Sequence, residues 1–132
     1  MTWTSTILSH PVLLVGVGGA IGSIVRYGLG HWLGQLLPPL PIPIATTMIN
    51  VIGSLILGYV AGMVEDRTQS AYLLLGIGFC GGFTTFSTLS LELVEQLQSG
   101  RIGLAILEGC LNIVLGISAL VVGLWIAGGR VS

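Results

Sequence analysis

A few polar side chains recur at helical spacing inside apolar stretches of this sequence, and they are the residues that could do chemistry. Thr47, Asn50 and Ser54 fall within about 60° of one another on a helix that turns about 100° per residue. The asparagine NH₂ group donates two hydrogen bonds and carries no charge, so it can replace hydration water around an anion without trapping the ion. An ordinary interhelical hydrogen bond is the alternative, and composition alone favours it.

A second polar stripe consists of Thr85, Thr88 and Glu92, with Phe86 and Leu89 on a neighbouring stripe. The ring edge of phenylalanine is the positive end of its quadrupole, so Phe86 could meet an anion edge-on. Hydroxyl groups beside that edge would suit an anion path. Hydroxyls that bond back to the carbonyl four residues earlier would have only a structural role, and the residues alone leave both interpretations open.

Two ionisable residues, Arg26 and Glu108, lie within apolar segments, where charge is costly and a functional role is the default hypothesis. Arg26 could extend toward water at one interface or bind free carbonyl groups. Glu108 and Asn112 are four residues apart on one face, which we expect to point into a helix bundle. Glu108 could pair with Arg26, be kept neutral by burial, or take part in proton-linked transport.

The composition identifies the elements that must hold these residues. The chain has 132 residues, of which 53% are hydrophobic and only 7% charged, and its mean hydropathy is +1.00. Soluble domains carry about 25% charged residues. A membrane-spanning helix needs about 20 apolar residues, so the chain has room for about four spans and no second domain. We therefore predict an all-α membrane protein that is embedded in the lipid bilayer.

Four transmembrane helices are predicted at about residues 12–35, 44–64, 70–97 and 102–127. A proline-rich stretch at 38–43 separates the first two helices, because proline removes backbone donors and disfavours helix in the preceding residue. Residues 96–100 are predicted to be a polar connector. No Lys or Arg precedes Arg26, so the first span does not look like a secretory signal and is expected to be retained.

The third helix is predicted to break near Gly81 and Gly82, because residues 78–88, GFCGGFTTFST, are rich in glycine and threonine. The carbonyl groups that such a break releases must find partners inside the protein, since lipid offers none. A hard cation is one solution, and threonine side chains, donors of another helix and trapped water are others.

Glycine occurs 21 times, often four residues apart, as in Gly18 with Gly22 and Gly58 with Gly62. Such spacing lets helix backbones approach closely in lipid. Cys80 and Cys110 lie in apolar segments, and both are expected to be packing residues.

Arginine is spread evenly over the predicted membrane faces, with Arg67 and Arg130 on the face of the termini and Arg101 on the other. The signal for one orientation is consequently weak. Insertion in both directions would permit an antiparallel pair, whereas a weak bias that still fixes one orientation is the alternative.

Some function classes are disfavoured by what the sequence lacks. A net charge of −1 and the absence of lysine argue against a nucleic-acid partner, which requires clustered basic side chains. No nucleophile with an adjacent base, metal-ligand cluster or phosphate-binding loop is recognisable, so we do not expect an enzyme.

Three segments of the chain resemble the CrcB (Fluc) family of fluoride channels. They are GGAIGSIVRY at 18–27, TTMINVIG at 46–53 and, most specifically, GFCGGFTTFST at 78–88. The resemblance implies a fluoride-selective channel in the inner (plasma) membrane that exports fluoride passively and relieves fluoride toxicity. It also implies that a second copy of the chain completes an antiparallel, dual-topology homodimer with two pores.

The resemblance further implies which residues form the site. A structural sodium ion would be held by the carbonyl groups of Gly81 and Thr84 from both copies, and Arg26 would be structural. The anion pathway would be lined by Asn50, Thr85, Phe86, Ser87, Thr88, Ser90 and Glu92.

Three positions depart from the family pattern and have uncertain places in the pore. Leu89 stands where the family often has a second pore phenylalanine, and Glu108 and Asn112 stand where a tyrosine and a small hydroxyl residue are common. We therefore expect conductance, the number of bound anions or the pH dependence to differ from the family norm.

A small proton-coupled multidrug-type exporter is the main alternative, since it would also have four helices. Resemblance to that class would predict a central glutamate in the first helix, where this chain has Arg26. A scaffold subunit would explain the glycines but not the clustered glycine and threonine residues of segment 78–88.

Overall fold

The computed structural model describes residues 10–128 as a bundle of four long helices, with no strand in that part of the chain. All four helices are long and apolar enough to cross a membrane, so the predicted fold class is confirmed at this level. Arg130, one of the basic residues considered above, lies outside the described residues. The helices are α1 (Pro11–Leu36), α2 (Ile44–Met63), α3 (Tyr72–Gln98) and α4 (Ile102–Ile126).

The ends of the first two helices follow from proline and from the return of charged residues. Pro11 occupies the first turn of α1, where its fixed φ angle favours a helix start and its missing N–H is not needed. Pro43 directly precedes α2. After α2, the backbone N–H of Thr68 donates to Asp66 Oδ1 at 2.9 Å. This hydrogen bond lowers the pKa of the Asp66 carboxyl group, which is fully exposed.

Helix α3 is interrupted near its middle, close to the predicted glycine pair. Its first half is a π-helix, Tyr72–Cys80, followed by a helical turn, Gly81–Phe83, and its second half is Phe86–Gln98. Thr84 and Thr85 between the halves are extended, with φ and ψ of −78° and 159° and of −149° and 116°. The break therefore begins two residues after the glycine pair.

Both residues of the glycine pair remain helical, and only Gly82 is needed for close packing. Gly81 has φ of −62° and ψ of −38°, which any residue adopts in a helix. A side chain at Gly82 would clash with the carbonyl oxygen of Gly19 in α1. The predicted break near Gly81 and Gly82 is thus present, but the residues that leave the helix are Thr84 and Thr85, because the conformational freedom of glycine permits a break without requiring one.

Glycine also brings the remaining helices into contact, as its spacing predicts. Side chains at Gly18 and Gly22 of α1 would clash with backbone oxygens of the first half of α3. Side chains at Gly58 of α2 and Gly123 of α4 would clash with backbone oxygens of the opposite helix. The bundle thus has two intimate pairs, α1 with the first half of α3 and α2 with α4.

The two cysteines differ in their surroundings. Cys80 is almost fully buried, in agreement with a packing role. Cys110 is exposed on the outer face of α4, so its predicted role in packing within the chain was wrong. Hydrophobic spacing on α4 cannot identify the inner face, because residues that face lipid are as apolar as those that face the bundle.

Candidate ion pathway at the break in the third helix

The break in α3 is held open by the side chain of Asn50 from α2. The backbone N–H of Thr85 donates to Asn50 Oδ1 at 2.8 Å, and Asn50 Nδ2 donates to the Thr85 carbonyl oxygen at 3.1 Å. The amide therefore replaces the helical acceptor of the Thr85 N–H and adds a donor to the Thr85 carbonyl, which is the N-cap carbonyl of the second half of α3. This satisfies the requirement that backbone polar groups at membrane depth be paired within the protein.

Asn112 of α4 extends this contact across the bundle. Its Oδ1 accepts a second hydrogen bond from Asn50 Nδ2 at 3.0 Å, so both hydrogens of the Asn50 amide have protein acceptors. Asn112 Nδ2 donates to Thr47 Oγ1 at 2.8 Å and to the Glu108 carbonyl oxygen at 3.1 Å. One hydrogen-bonded chain thus joins α2, α4 and the break in α3.

The hydroxyl groups after the break have two different roles. Thr85 Oγ1 accepts from the backbone N–H of Thr88 at 3.1 Å and so caps the second half of α3. It also donates to Thr88 Oγ1 at 2.9 Å and lies 3.3 Å from Ser87 Oγ. Ser90 Oγ donates to the Phe86 carbonyl oxygen four residues earlier, at 2.8 Å. Ser90 is therefore committed to its own helix in this conformation.

A cavity of about 280 Å³, the break cavity, opens beside these residues. Phe86 is 80% exposed and borders it, while Leu89 is buried below. Three of the seven predicted pathway residues, Asn50, Thr85 and Phe86, thus share one space with two of the uncertain positions, Leu89 and Asn112. The residues around the break cavity are Asn50, Ser54, Leu57, Thr84, Thr85, Phe86, Leu89, Asn112 and Ile113.

A second cavity, of about 480 Å³, lies next to Arg26 and is called the Arg26 cavity. Thr85, Thr88 and Glu92 line it together, as their predicted common face requires. Thr46 Oγ1 donates to Glu92 Oε1 at 2.6 Å and fixes one side of the carboxyl group. Thr85 lines both cavities, so the α3 break stands between them.

Glu92 also belongs to a buried polar cluster that sequence analysis did not identify, the carboxyl cluster of Glu92, Gln96 and Glu108. Glu108 is completely buried and Gln96 is 2% exposed. Gln96 Nε2 donates to Glu108 Oε2. The prediction that residue 96 begins a polar connector was wrong, because α3 continues through Gln98. The spacing of Gln96 four residues after Glu92 could have indicated a shared helix face.

Arg26 is not the partner of Glu108. No ion pair involving Arg26 forms within residues 10–128, where the guanidinium is half-buried and borders the Arg26 cavity. Burial of Glu108 and Asn112 confirms that this face of α4 points into the bundle. Of the three roles considered for Glu108, pairing with Arg26 is therefore excluded in this conformation.

Gly81 and Thr84 lie at the end of the first half of α3, just before the second half begins. In a continuous helix the Thr85 N–H would donate to the Gly81 carbonyl, but here it donates to Asn50. A side chain at Gly81 would meet no atom within 4 Å, so this residue borders open space. Thr84 donates both its backbone N–H and its Oγ1 hydroxyl to the Cys80 carbonyl at 2.9 Å, which leaves its own carbonyl beyond the helix end.

These carbonyls are the candidate ligands for a hard cation. Within the described part of the chain, no group of three or more His, Cys, Asp or Glu side chains could hold a metal ion. Sodium would therefore depend on backbone oxygens of the kind that Gly81 and Thr84 present. One chain contributes two of them, which is too few to surround a hard cation, so the donor chemistry fits but the site needs further oxygens.

Comparison with known proteins connects this architecture to a family. The family model described as "CrcB-like protein, Camphor Resistance (CrcB)" matches residues 13–124, which include the break and both cavities. A Hyphomonas neptunium protein named "Fluoride-specific ion channel FluC" is 44% identical over 119 residues, covering 87% of this chain and 93% of the relative.

Two further relatives give the same result. A Symbiobacterium thermophilum protein named "Fluoride-specific ion channel FluC 2" is 45% identical over 112 residues, which cover 83% of this chain and 90% of the relative. A Nitrobacter winogradskyi protein named "Fluoride-specific ion channel FluC" is 39% identical over 133 residues, covering 96% and 97% of the two chains. The chain therefore belongs to the CrcB-like protein family.

Proposed function

We propose that this protein is a fluoride-selective ion channel, not an enzyme, and that it exports fluoride passively from the cytoplasm and thereby relieves fluoride toxicity. The names of its relatives support this function. The observation that carries the proposal is the break at Thr84 and Thr85, which is braced by Asn50 and separates two polar-lined cavities within an apolar bundle.

The residues along the break suit a small, strongly hydrated anion. Such an ion moves through a membrane protein only if many weak donors replace its water, and if none of them holds it tightly. Ser87 and Thr88 are exposed and carry hydroxyl groups, and the exposed ring of Phe86 can offer its positive edge. Arg26 supplies positive potential along the second cavity, which attracts anions toward the break.

Asn50 has to exchange a hydrogen bond when it meets fluoride. Its bond to Asn112 can open while the two bonds to Thr85 persist, so one amide hydrogen becomes available and the break stays braced. We propose this exchange as the step in which the asparagine contacts the ion. Asn112 then acts as the resting acceptor for that hydrogen.

We propose that two copies assemble as an antiparallel homodimer in the plasma membrane. Arg101 lies on the face of the loop between α3 and α4, and Arg67 lies on the opposite face after α2, so neither face dominates in positive charge. A structural sodium ion would join the copies through the Gly81 and Thr84 carbonyls. A second copy would double the number of these oxygens, which supports assembly around the ion.

Efflux from proteoliposomes tests the proposed function. Vesicles loaded with potassium fluoride or potassium chloride are diluted into medium of low halide content, and valinomycin lets K⁺ follow the anion. We expect fluoride to leave and chloride to stay, without any proton gradient. Correctly folded protein that releases no fluoride would contradict the proposal, and efflux that requires a proton gradient would favour the exporter.

A further inference from the structure

The carboxyl cluster contains more acceptor atoms than donors. Three of its side-chain oxygens are buried without a hydrogen-bond partner, namely Glu92 Oε2, Gln96 Oε1 and Glu108 Oε1. Gln96 lies one turn after Glu92 on α3 and donates to Glu108, so this one side chain neighbours both carboxyl groups. Thr46 occupies the other oxygen of Glu92, and Gln96 occupies the other oxygen of Glu108. The unpartnered carboxyl oxygens are therefore the ones left to interact across the gap.

The surrounding charges do not neutralise this pair. Arg26, His31 and Tyr27 border the Arg26 cavity, and Arg101 borders a smaller cavity on the other side of Glu92. Within residues 10–128, no cation forms an ion pair with either carboxyl group. Glu95 lines the smaller cavity together with Glu92 and adds a further negative charge there. Two adjacent ionised carboxylates are strongly unfavourable at a buried position, and one proton between them removes half of the charge and pairs both oxygens.

We propose that Glu92 and Glu108 form a binding site for one proton, shared between Glu92 Oε2 and Glu108 Oε1, and that losing this proton slows fluoride flux. The inference rests on the proposed channel function. Within this site Gln96 is a positioning residue, because its NH₂ group donates to Glu108 Oε2 and leaves Glu108 Oε1 as the oxygen without a partner.

The cavities connect the shared proton to water and to the ion path. A cavity of about 230 Å³ reaches Glu92 and Gln96 from Leu40, Pro41 and Arg101 at the loop face, and it provides a route for proton exchange. Glu92 also lines the Arg26 cavity, where an anion feels the charge of the pair. The protonated pair carries one negative charge and the deprotonated pair carries two, so deprotonation raises the barrier for fluoride.

Fluoride efflux measured at matched internal and external pH, from about 6 to about 9, tests the proposal. We expect fluoride flux at the highest pH to be about tenfold lower than at the lowest pH. Glu108→Gln should abolish this fall, because its amide donates to Glu92 and no proton is needed. Glu95→Gln is the matched control, since it removes a negative charge from a cavity that Glu92 also lines. It leaves the shared proton in place, so fluoride flux should still fall as pH rises. Protein-free vesicles measure leakage at each pH.

Infrared spectroscopy of the wild-type protein in lipid gives a readout that does not depend on flux. The carbonyl stretching band of a buried protonated carboxyl group should be present at low pH, disappear over the range in which flux falls, and be absent from Glu108→Gln. Flux that is present but constant with pH, or a wild-type spectrum without this band, would overturn the proton site and leave the channel function intact. Absence of fluoride flux at every pH would instead reject the channel itself.

Discussion

Replacing Asn50 by aspartate separates the two roles that the structure gives this side chain. Aspartate has nearly the same shape and can still accept the hydrogen bond from the Thr85 N–H. It cannot donate to the Thr85 carbonyl or to Asn112 Oδ1 when ionised, so two hydrogen bonds disappear. It also places a negative charge beside the break cavity.

The expected magnitudes follow from these contacts. Hydrogen bonds between membrane helices contribute about 0.6 kcal/mol on average and at most about 1.7, so the aspartate should destabilise the fold by about 1 to 3 kcal/mol. A unit charge about 4 Å from a passing anion raises its energy by about 4 kcal/mol at an effective dielectric constant of about 20. Water in the cavity weakens this repulsion, so we expect flux to fall between about tenfold and about 10³-fold.

Asn50→Ala is the matched comparison, because it removes all three hydrogen bonds but adds no charge. Thermal unfolding in detergent should rank the alanine variant below the aspartate variant in stability, whereas fluoride efflux at neutral pH should rank it above. If the two variants rank in opposite orders by stability and by fluoride efflux, the role of Asn50 in bracing the break is distinct from its role in conduction. An aspartate variant that conducts at the wild-type rate, or an alanine variant as stable as the wild type, would refute this account of Asn50.

Three further predictions concern the Phe86 side chain, the glycines at helix contacts and the proposed structural sodium ion. Phe86→Ile should slow fluoride efflux at least several-fold. Trp125→Ile is the control, because Trp125 is an equally exposed aromatic residue of α4 away from the cavities, and it should leave efflux unchanged. Equal effects of the two substitutions would remove Phe86 from the ion path. Gly123→Ala should lower the free energy of unfolding by about 1 to 3 kcal/mol, because the added methyl group meets the Leu55 backbone oxygen. Gly103→Ala adds a methyl group that meets no atom, so it should leave stability unchanged. Thermal unfolding measures the stability of both variants. Replacing all sodium by N-methylglucamine should weaken the homodimer in size-exclusion chromatography, and an unchanged elution profile would argue against a structural sodium ion.

The fold could be predicted largely from the sequence because the bilayer sets the length of an apolar helix. Charged and proline-rich segments then mark where each span must end, as at 38–43 and after Met63. Glycine spacing likewise indicated close helix contacts, since only glycine fits where Gly58 and Gly123 meet backbone atoms of the opposite helix. The position of the break in α3 required the tertiary structure, because the amide of Asn50 selects Thr85 as the residue that leaves the helix.

The sequence predicted which residues line the site better than it predicted which hydrogen bonds they form. The spacing of Thr85, Thr88 and Glu92 indicated a common lining, and the structure brings them to one cavity. Asn50 and Thr46, the partners of Thr85 and Glu92, come from α2, and helix periodicity carries no information about which helix lies opposite. Gln96 was missed for this reason, since a glutamine next to a predicted loop resembles a solvated residue until α4 places Glu108 against it.

Electrical recording from the purified protein in planar lipid bilayers tests the central claim most directly. With fluoride and chloride gradients set in opposite directions at equal pH, the fluoride-channel account predicts a current whose reversal potential follows the fluoride gradient and ignores chloride. A reversal potential that follows chloride, or no current until a pH gradient is applied, would contradict it.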